Sequence, residues 1–394
     1  MILGAVVADA ASMGLHWIYS QPTIRRIAPQ SPEFAEPLAE NYEQGPAFFA
    51  HERRHAGESS LYGEHVVVML QSLAAASGRF DEAEFLSRYR KHFGPGGDYV
   101  GYVDTPTRET LFNAEAMVRT IRSAILDMDL DLSDTRQRQV ANFVSRYILD
   151  GDMARVRELA SKPLRLANTT DDEFVEIERV FGAVEKLRVP TGADDVQLPA
   201  LNCVAPLVAC YAGSEDLEPV VERAVRVTNN NDLAVSYAVG LARLLESVLT
   251  APPETLGEPG PDNIPDQGRL AATILESYRD LPNDYRNDLE KALSLLRQEN
   301  ESITRTYGPA CDCAMGTPSA LHNVVTAGGF VEAVRRNIYA SGDSCGRAMI
   351  VGPVMGALHG IGGKYGIRHD WIGRTGRSAE VRQLLGELLA PSPV

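Results

Sequence analysis

The fold class of this chain follows from one uncharged stretch, Ala348-Met349-Ile350-Val351-Gly352-Pro353-Val354-Met355-Gly356-Ala357-Leu358. A helix that is apolar on every face is buried on every face, so this stretch predicts the central helix of a helical protein. Gly352, Gly356 and Gly360 recur every four residues, which predicts one side where a second helix approaches closely. Pro353 predicts a kink or a local opening of the helix.

The residues before this helix, Ser341-Gly342-Asp343-Ser344, predict its start. The side chain of Ser341 or Asp343 is expected to accept a backbone N–H bond and so to cap the first turn. Asp343 has two further interpretations, an ion pair with Arg347 four residues later and a role as a ligand. In each case the sequence predicts a carboxylate buried near the centre of the fold.

Helical periodicity dominates the rest of the chain, because apolar residues recur at spacings of three and four. Alternating patterns typical of strands are nearly absent, so we predict an all-α protein, a single multi-helix bundle over residues 1–390. Residues 251–268, rich in Pro and Gly, predict a loop, and residues 391–394 a disordered tail. The predicted helices are 65–76, 113–129, 135–149, 173–187, 217–227, 232–250, 268–280, 284–300 and 329–340.

Charge and cysteine content narrow the classes of partner and compartment. The formal net charge is −15, and a surface of this sign repels nucleic-acid phosphates and anionic membranes. We find no apolar stretch near the roughly 20 residues that a membrane span needs. The chain has 5 cysteines, an odd and sparse set that favours a reducing compartment over a disulfide framework. These features predict a cytoplasmic protein that binds neither nucleic acid nor membranes.

Four ordered segments across the chain resemble the ADP-ribosylglycohydrolase superfamily. The His-Trp-Ile-Tyr form near the start is most similar to its J-type lens crystallin branch. The match implies the family's all-α fold and a small-molecule ligand in a central cleft. The matching segments are Gly4–Ala10 with Gly14–Tyr19, Ala200–Leu207 at a ligand loop, Thr228–Asp232 where the family reads Thr-His, and Gly342–Arg347 at the C-terminal metal motif.

The resemblance implies two Mg²⁺ ions, held by a Thr-Asp-Asp-Thr run and a C-terminal Asp-x-Asp-Thr, which orient ADP-ribose and activate a water. Here the first run falls in Ser59–Glu64, which has neither aspartate and which, as one of the family's two half-sites, is expected to lie beside Asp343. In the second motif Asp343 matches the first Asp, but Cys345 and Gly346 replace the second Asp and the Thr. Mg²⁺ does not favour a thiol ligand. Asp343 is therefore the one residue of the family's metal-ligand set that remains, no cofactor is firmly predicted, and we do not expect an intact dimagnesium centre.

The resemblance also supplies candidate site residues. Glu64 and Asp343 are candidates for general base or metal ligand, and Cys345 for a nucleophile whose pKa a helix N-terminus and Arg347 would lower. Each has a structural alternative: Glu64 a favourable dipole interaction, Asp343 a cap, and Cys345 a small buried apolar side chain. The substrate-binding candidates are Tyr62, Asp104, Asn202, Cys203, Asn230, Asp232 and Arg347.

Two functions from different classes remain open at this point. The first is a hydrolase with a rewritten metal site, acting on a glycosidic or related bond of a small ribosyl-type ligand. The alternative is a catalytically silent protein, either crystallin-like or a ligand-binding pseudoenzyme. Loss of the paired aspartates favours the silent protein, whereas retention of Asp343, a thiol and several polar residues favours a changed chemistry.

Overall fold

A computed structural model of the chain describes residues 1–127, 190–250 and 266–389. The predicted helices 135–149 and 173–187, most of the predicted loop and the predicted tail lie outside these residues. The described part is helical, with β pairing limited to isolated bridges, as an all-α class predicts. Numbered in chain order through the described residues, the helices are α1 Ile2–Ser12, α2 Gln21–Ile27, α3 Ala39–Tyr42, α4 Leu61–Ala75, α5 Glu82–Phe93, α6 Thr105–Asp127, α7 Val204–Tyr211, α8 Leu217–Thr228, α9 Asp232–Thr250, α10 Gln267–Ser277, α11 Asn283–Ser294, α12 Asn300–Tyr307, α13 Cys313–Thr326, α14 Phe330–Tyr339, α15 Ser344–His359, α16 His369–Arg374 and α17 Ser378–Leu389.

The apolar stretch forms α15, which lies at the centre of the fold and contacts α1, α4, α9, α13 and α14. Its closest neighbour is α1, and glycines make the close approach possible. A Cβ on Gly352 would lie 2.4 Å from the backbone oxygen of Gly4, and one on Gly356 would lie 3.2 Å from the Gly4 Cα. Gly360 differs from the prediction: it ends the helix with a φ of +65°, and a Cβ there would meet no atom of the described residues within 4 Å. The helix continues through Pro353.

The predicted helix 284–300 ends early, since α11 ends at Ser294 and a separate helix, α12, begins at Asn300. Tertiary contacts explain the break. The Leu295 carbonyl, at the end of α11, lies 3.1 Å from Nε2 of His322 on α13, and the Asn300 amide donates to the Ser319 carbonyl at 2.8 Å. The His322 side chain therefore satisfies a carbonyl that a continuous helix would have paired internally, and the Asn300 side chain ties the start of α12 to α13.

Helix α9 contradicts the expectation that no stretch is long enough for a membrane span. Its 19 residues meet the length and hydropathy requirements for one, and half of its most apolar window is buried inside the fold. It packs against α8, α10 and α15, with Ala234, Ala238 and Leu241 fully buried. Core helices of soluble proteins meet the same two requirements.

The buried apolar side chains of the described residues form one continuous cluster that runs from Ile2 to Val381. The N-terminal ends of α4 and α15 meet within this cluster, beside the end of α1. The fold therefore brings three distant segments of the chain to one buried place.

Candidate functional site

Asp343 lies at the N-terminal end of α15 and is fully buried. Its Oδ1 accepts the Gly346 N–H at 2.7 Å, which makes it the predicted cap, and its Oδ2 accepts the Tyr62 hydroxyl at 2.8 Å. Burial raises the pKa of the Asp343 carboxyl, although these two hydrogen bonds oppose the shift. Both oxygens are thus engaged within the protein.

The predicted approach of residues 59–64 to Asp343 is confirmed by the Tyr62 hydrogen bond. Ser60 caps α4, and its N–H and hydroxyl both donate to the carboxylate of Asp9 on α1. Gly63 allows this approach, because a Cβ there would lie 2.3 Å from Oδ2 of Asp9. Burial raises the pKa of Asp9 to about 7, although the hydrogen bonds from Ser60 oppose the shift.

His16 also contacts Asp343, although no sequence pattern predicts a role for it. Its Nδ1 lies 3.5 Å from Oδ1 of Asp343 and accepts the Cys345 N–H at 3.2 Å. Burial, together with His51 and Arg347 nearby, holds the pKa of His16 well below its usual range. The ring is therefore neutral, and it serves as a hydrogen-bond acceptor at the start of α15.

Glu64 points away from Asp343 into a buried ion-pair cluster. Its carboxylate accepts hydrogen bonds from Arg54 at 3.0 Å, His92 at 2.8 Å and Arg377 at 3.0 Å. Burial favours the neutral acid, but the hydrogen bonds from His92 and Arg377 outweigh it and lower the pKa to about 2. A carboxylate this weakly basic is poorly matched to general-base catalysis near neutral pH. In this cluster Glu64 joins α4 to α5 and to the start of α17, which is a structural role.

The predicted lowering of the Cys345 pKa is wrong. The thiol is fully buried, and burial, with the charges of Asp9 and Asp343, raises its pKa well above the usual range. The predicted ion pair between Asp343 and Arg347 does not form either. Arg347 is fully buried and instead donates to the side chain and carbonyl of Asn337 and to the Ser341 carbonyl, near the end of α14. Burial lowers the pKa of this guanidinium to about 10.

Asp104 and Asn202 form a second part of the site. Asp104 ends the Gly-rich loop of residues 94–104 and caps α6, because its Oδ1 accepts the Thr107 N–H at 2.9 Å. Burial raises its pKa to about 6, and the charges of Asp195 and Asp343 add to this shift. The Asn202 amide lies 3.0 Å from Nδ1 of His65, which follows Tyr62 by one turn of α4. Asp104 therefore lies close enough to Asp343 for the two charges to interact, and Asn202 contacts α4 one turn after Tyr62.

Three other candidates lie elsewhere. The Cys203 thiol is buried and lies 3.8 Å from the carbonyl of Ala200 in its own turn, and burial raises its pKa to about 12. Asn230 and Asp232 both pair with Arg226, and the Asp232 side chain is 93% exposed. These two residues form a surface cluster.

An aromatic cap, defined as Trp17, Phe48 and Tyr102, covers the site. Its ring centroids lie 5.1 to 5.6 Å apart, and Trp17 stacks on His16 at 4.5 Å. Trp17 has a φ of +64°, a conformation that is rare for a bulky residue. Its backbone N–H donates a 2.9 Å hydrogen bond to the Gly342 carbonyl. Phe48 is 49% exposed on the outer side. The expected central cleft is therefore closed above Asp343 in this conformation.

The donor set does not fit a magnesium centre. Mg²⁺ needs about six oxygen ligands. Among the described residues, no three His, Cys, Asp or Glu side chains converge as a ligand group. Both Asp343 oxygens are already bonded, and the neighbouring Cys345 carries a protonated thiol.

Comparisons with known proteins agree with this architecture. A family model described as ADP-ribosylglycohydrolase matches residues 1–393. Crystallin J1A and Crystallin J1B of Tripedalia cystophora are 26% and 25% identical to the chain, and each alignment covers 98% of this chain and 94% of the relative. A solved structure described as an ADP-ribosylglycohydrolase-related protein complex has a TM-score of 0.55 at 17% identity, covering 98% of this chain and 94% of its own, which supports the fold.

Proposed function

Because the chain belongs to the ADP-ribosylglycohydrolase family, we propose that it is a ligand-binding member of that family which lacks magnesium-dependent hydrolysis. The observation that carries the proposal is the state of Asp343, the one retained metal-ligand candidate. This carboxylate is fully buried, and each oxygen accepts a hydrogen bond from the protein. Mg²⁺ bound there would have to share the carboxylate oxygens with the Tyr62 hydroxyl and with the cap of α15.

The other catalytic candidates support the same proposal. Glu64 is held in three hydrogen-bonded contacts with cationic partners and has a pKa of about 2. The Cys345 thiol is buried with a raised pKa, whereas nucleophilic cysteines need thiolate character. Neither residue is prepared for the role that the family resemblance implied. A crystallin-like structural role belongs to the same non-hydrolytic class, and the two relatives named crystallins favour it.

The proposed ligand is a small molecule in the central site, and the proposed compartment is the cytoplasm. A net charge of −15 disfavours nucleic acids and anionic membranes as partners. All five cysteines are free, which suits a reducing compartment.

Hydrolysis of ADP-ribosyl-arginine tests the proposal. We expect no turnover above the uncatalysed rate, with or without millimolar Mg²⁺, and no effect of EDTA. Turnover that requires Mg²⁺, is abolished by EDTA and is lost in Asp343→Asn would overturn it. Asp232→Asn, which changes an exposed carboxylate, is the matched control.

One observation favours a second function, hydrolysis by a metal-free route. Burial raises the pKa of the Asp104 carboxyl to about 6, near the value that suits general acid–base catalysis at neutral pH. Its Oδ2 has no hydrogen-bond partner among the described residues. This alternative predicts glycosidic-bond hydrolysis that is insensitive to EDTA and lost in Asp104→Asn.

A further inference from the structure

A groove of about 650 Å³ lies between α4, α5 and α17, and the His92 ring lies between it and Glu64. Its volume falls within the ~300–1,000 Å³ that is typical of small-molecule sites. Gln71, which lines the groove, follows Tyr62 by nine residues, about 13 Å along α4. The groove is therefore separate from the Asp343 region.

The last two turns of α5 present two cationic groups to this groove. Arg88 and Lys91 both line it, three residues apart and so on one face of the helix. Lys91 is exposed and forms no hydrogen bond or ion pair with the part of the chain that the structure describes. The Arg88 guanidinium bonds Glu84 through Nε, and its two terminal nitrogens have no partner among the same residues. Guanidinium and ammonium groups form strong, charge-assisted hydrogen bonds with carboxylates, so this wall favours an anionic group.

His92 supplies a polar atom of a different kind beside these cations. Its side chain lines the groove and is 7% exposed, and its Nε2 lies 2.8 Å from the Glu64 carboxylate. Nδ1 lies on the groove side, 3.9 Å from an oxygen of Asp98, which also lines the groove. This separation is too long for a hydrogen bond, and Nδ1 forms none with the described residues. When Nε2 donates to Glu64, Nδ1 of the neutral ring is an acceptor, so it and Asp98 together favour an ammonium group.

The remaining walls of the groove are partly apolar. Ala74 and Ala75 on α4 and Leu384 on α17 line it. Glu380, also on α17, accepts hydrogen bonds from Gln71 and from Arg377, each at 2.7 Å, so its carboxylate is already satisfied and forms no ion pair across the groove. An aliphatic side chain of a ligand therefore has small apolar groups to pack against.

We propose that this groove binds a free α-amino acid with an aliphatic side chain. The carboxylate of the ligand bonds Lys91 and the terminal nitrogens of Arg88. Its ammonium group donates to Nδ1 of His92 and pairs with Asp98. Arg88 and His92 lie four residues apart on one face of α5, with Cβ atoms about 5–6 Å apart. This short spacing suits an α-amino acid, in which one carbon separates the two charged groups. The site is additional to the central ligand site proposed above.

Calorimetric titration of the full chain with L-leucine tests the inference, at low ionic strength because salt screens exposed charges. Three analogues each lack one group: 4-methylpentanoate the ammonium, isoamylamine the carboxylate and glycine the side chain. We expect saturable binding of leucine and at least about tenfold weaker binding of each analogue. Lys91→Gln should weaken leucine binding about tenfold without loss of stability, because Lys91 is exposed. Its matched control is Lys291→Gln, an exposed lysine in the last turn of α11, which should bind leucine as the wild type does.

A second variant tests the ammonium end of the site. Asp98 has a side chain that is 74% exposed, so Asp98→Asn should fold normally. It should weaken binding of leucine and leave binding of 4-methylpentanoate unchanged. No saturable binding of leucine, equal affinity for leucine and 4-methylpentanoate, or unchanged leucine affinity in Lys91→Gln would overturn the inference. These readouts measure binding at the groove, so none of these outcomes bears on hydrolysis at the Asp343 region.

Discussion

The hydroxyl of Tyr62 donates a 2.8 Å hydrogen bond to Oδ2 of Asp343, joining two residues 281 positions apart. Both residues are buried, and each lies in the first turn or at the cap of its helix. In the family pattern these segments supply metal ligands from two sides. Here a hydroxyl on one segment bonds the carboxylate on the other, so a direct hydrogen bond joins the two half-sites.

Replacing Tyr62 by Phe removes this hydrogen bond and leaves Oδ2 of Asp343 buried without a donor. We expect the free energy of unfolding to fall by about 1–3 kcal/mol, the cost of an unpaired buried acceptor. Urea denaturation measures the change. Tyr285→Phe is the control, because the Tyr285 hydroxyl forms no hydrogen bond with the described residues and lies in α11. Equal effects of the two variants would contradict a structural role for the Tyr62 bond.

Millimolar Mg²⁺ should not raise the melting temperature. A ligand stabilises the folded state only at concentrations above its dissociation constant, and the Asp343 oxygens are already bonded. Melting curves with Mg²⁺, with EDTA and with matched ionic strength measure this. A rise of several degrees that EDTA reverses would mean that other oxygens have rebuilt a metal site.

His51→Leu should flatten the dependence of stability on pH below neutrality. Burial, and then the charge of Arg54, lowers the pKa of His51 from 6.5 to about 3. The unfolded chain therefore takes up the proton first, and the folded state loses stability as the pH falls from about 6.5 to about 3. Neither ring nitrogen has a hydrogen-bond partner in the part of the chain that the structure describes, so Leu removes this titration without breaking a bond seen there.

Denaturation of His51→Leu at a series of pH values measures that slope, and stability at pH 7 should be unchanged or higher. The exposed His369 provides the comparison, since His369→Gln should leave the slope as it is. A steeper slope in His51→Leu than in the wild type would refute the assignment.

Glu64→Gln should loosen the C-terminal helix α17. The carboxylate is 3% exposed and bonds Arg54, His92 and Arg377, and Arg377 immediately precedes α17. Removing a charge from a buried pair leaves its partners uncompensated, at a cost of roughly 3 kcal/mol. Amide exchange in residues 378–389 should accelerate together with the loss of global stability. Asp370→Asn, which breaks an exposed pair with Arg368, should leave the free energy of unfolding nearly unchanged, because water screens exposed pairs.

Gly352→Ala should destabilise the fold by at least about 1–3 kcal/mol, because its Cβ would lie 2.4 Å from the Gly4 backbone oxygen. Gly386→Ala is the matched control. Nothing lies within 4 Å of a Cβ at Gly386 in α17, so the change should be neutral or stabilising by up to about 1 kcal/mol. Denaturation midpoints of the two variants should therefore move in opposite directions or differ clearly.

Local patterns predicted those features that depend on few residues. The uncharged run 348–358 predicts a buried helix on hydropathy alone, and Asp343 just before it predicts the cap. The meeting of Tyr62 with Asp343 followed from the two family half-sites. Partners brought together only by tertiary packing left no such signal: Arg377 lies 313 residues from Glu64, and no spacing rule connects them.

The predictions that failed at the site also depended on neighbours that only tertiary packing supplies. The helix N-terminus beside Cys345 predicts a lowered pKa, but full burial and two neighbouring carboxyls outweigh it. Arg347 has the spacing for an ion pair with Asp343, but its guanidinium donates instead to backbone carbonyls at the end of α14. His16 and Asp9 lie in the N-terminal segments that resemble the family, but the sequence does not indicate their contacts with Cys345 and Ser60, which only the folded chain brings together.

The glycine-mediated contact between α1 and α15 has a consequence for synthesis of the chain. Helix α1 comprises residues 2–12, and every one of them is buried in the finished fold. Its principal partner, α15, ends only at His359. At about 5–20 residues per second, a ribosome needs roughly 20–70 s to complete that partner. For this interval a mostly apolar segment stands without its native cover, so holdase chaperones should engage the nascent chain at α1.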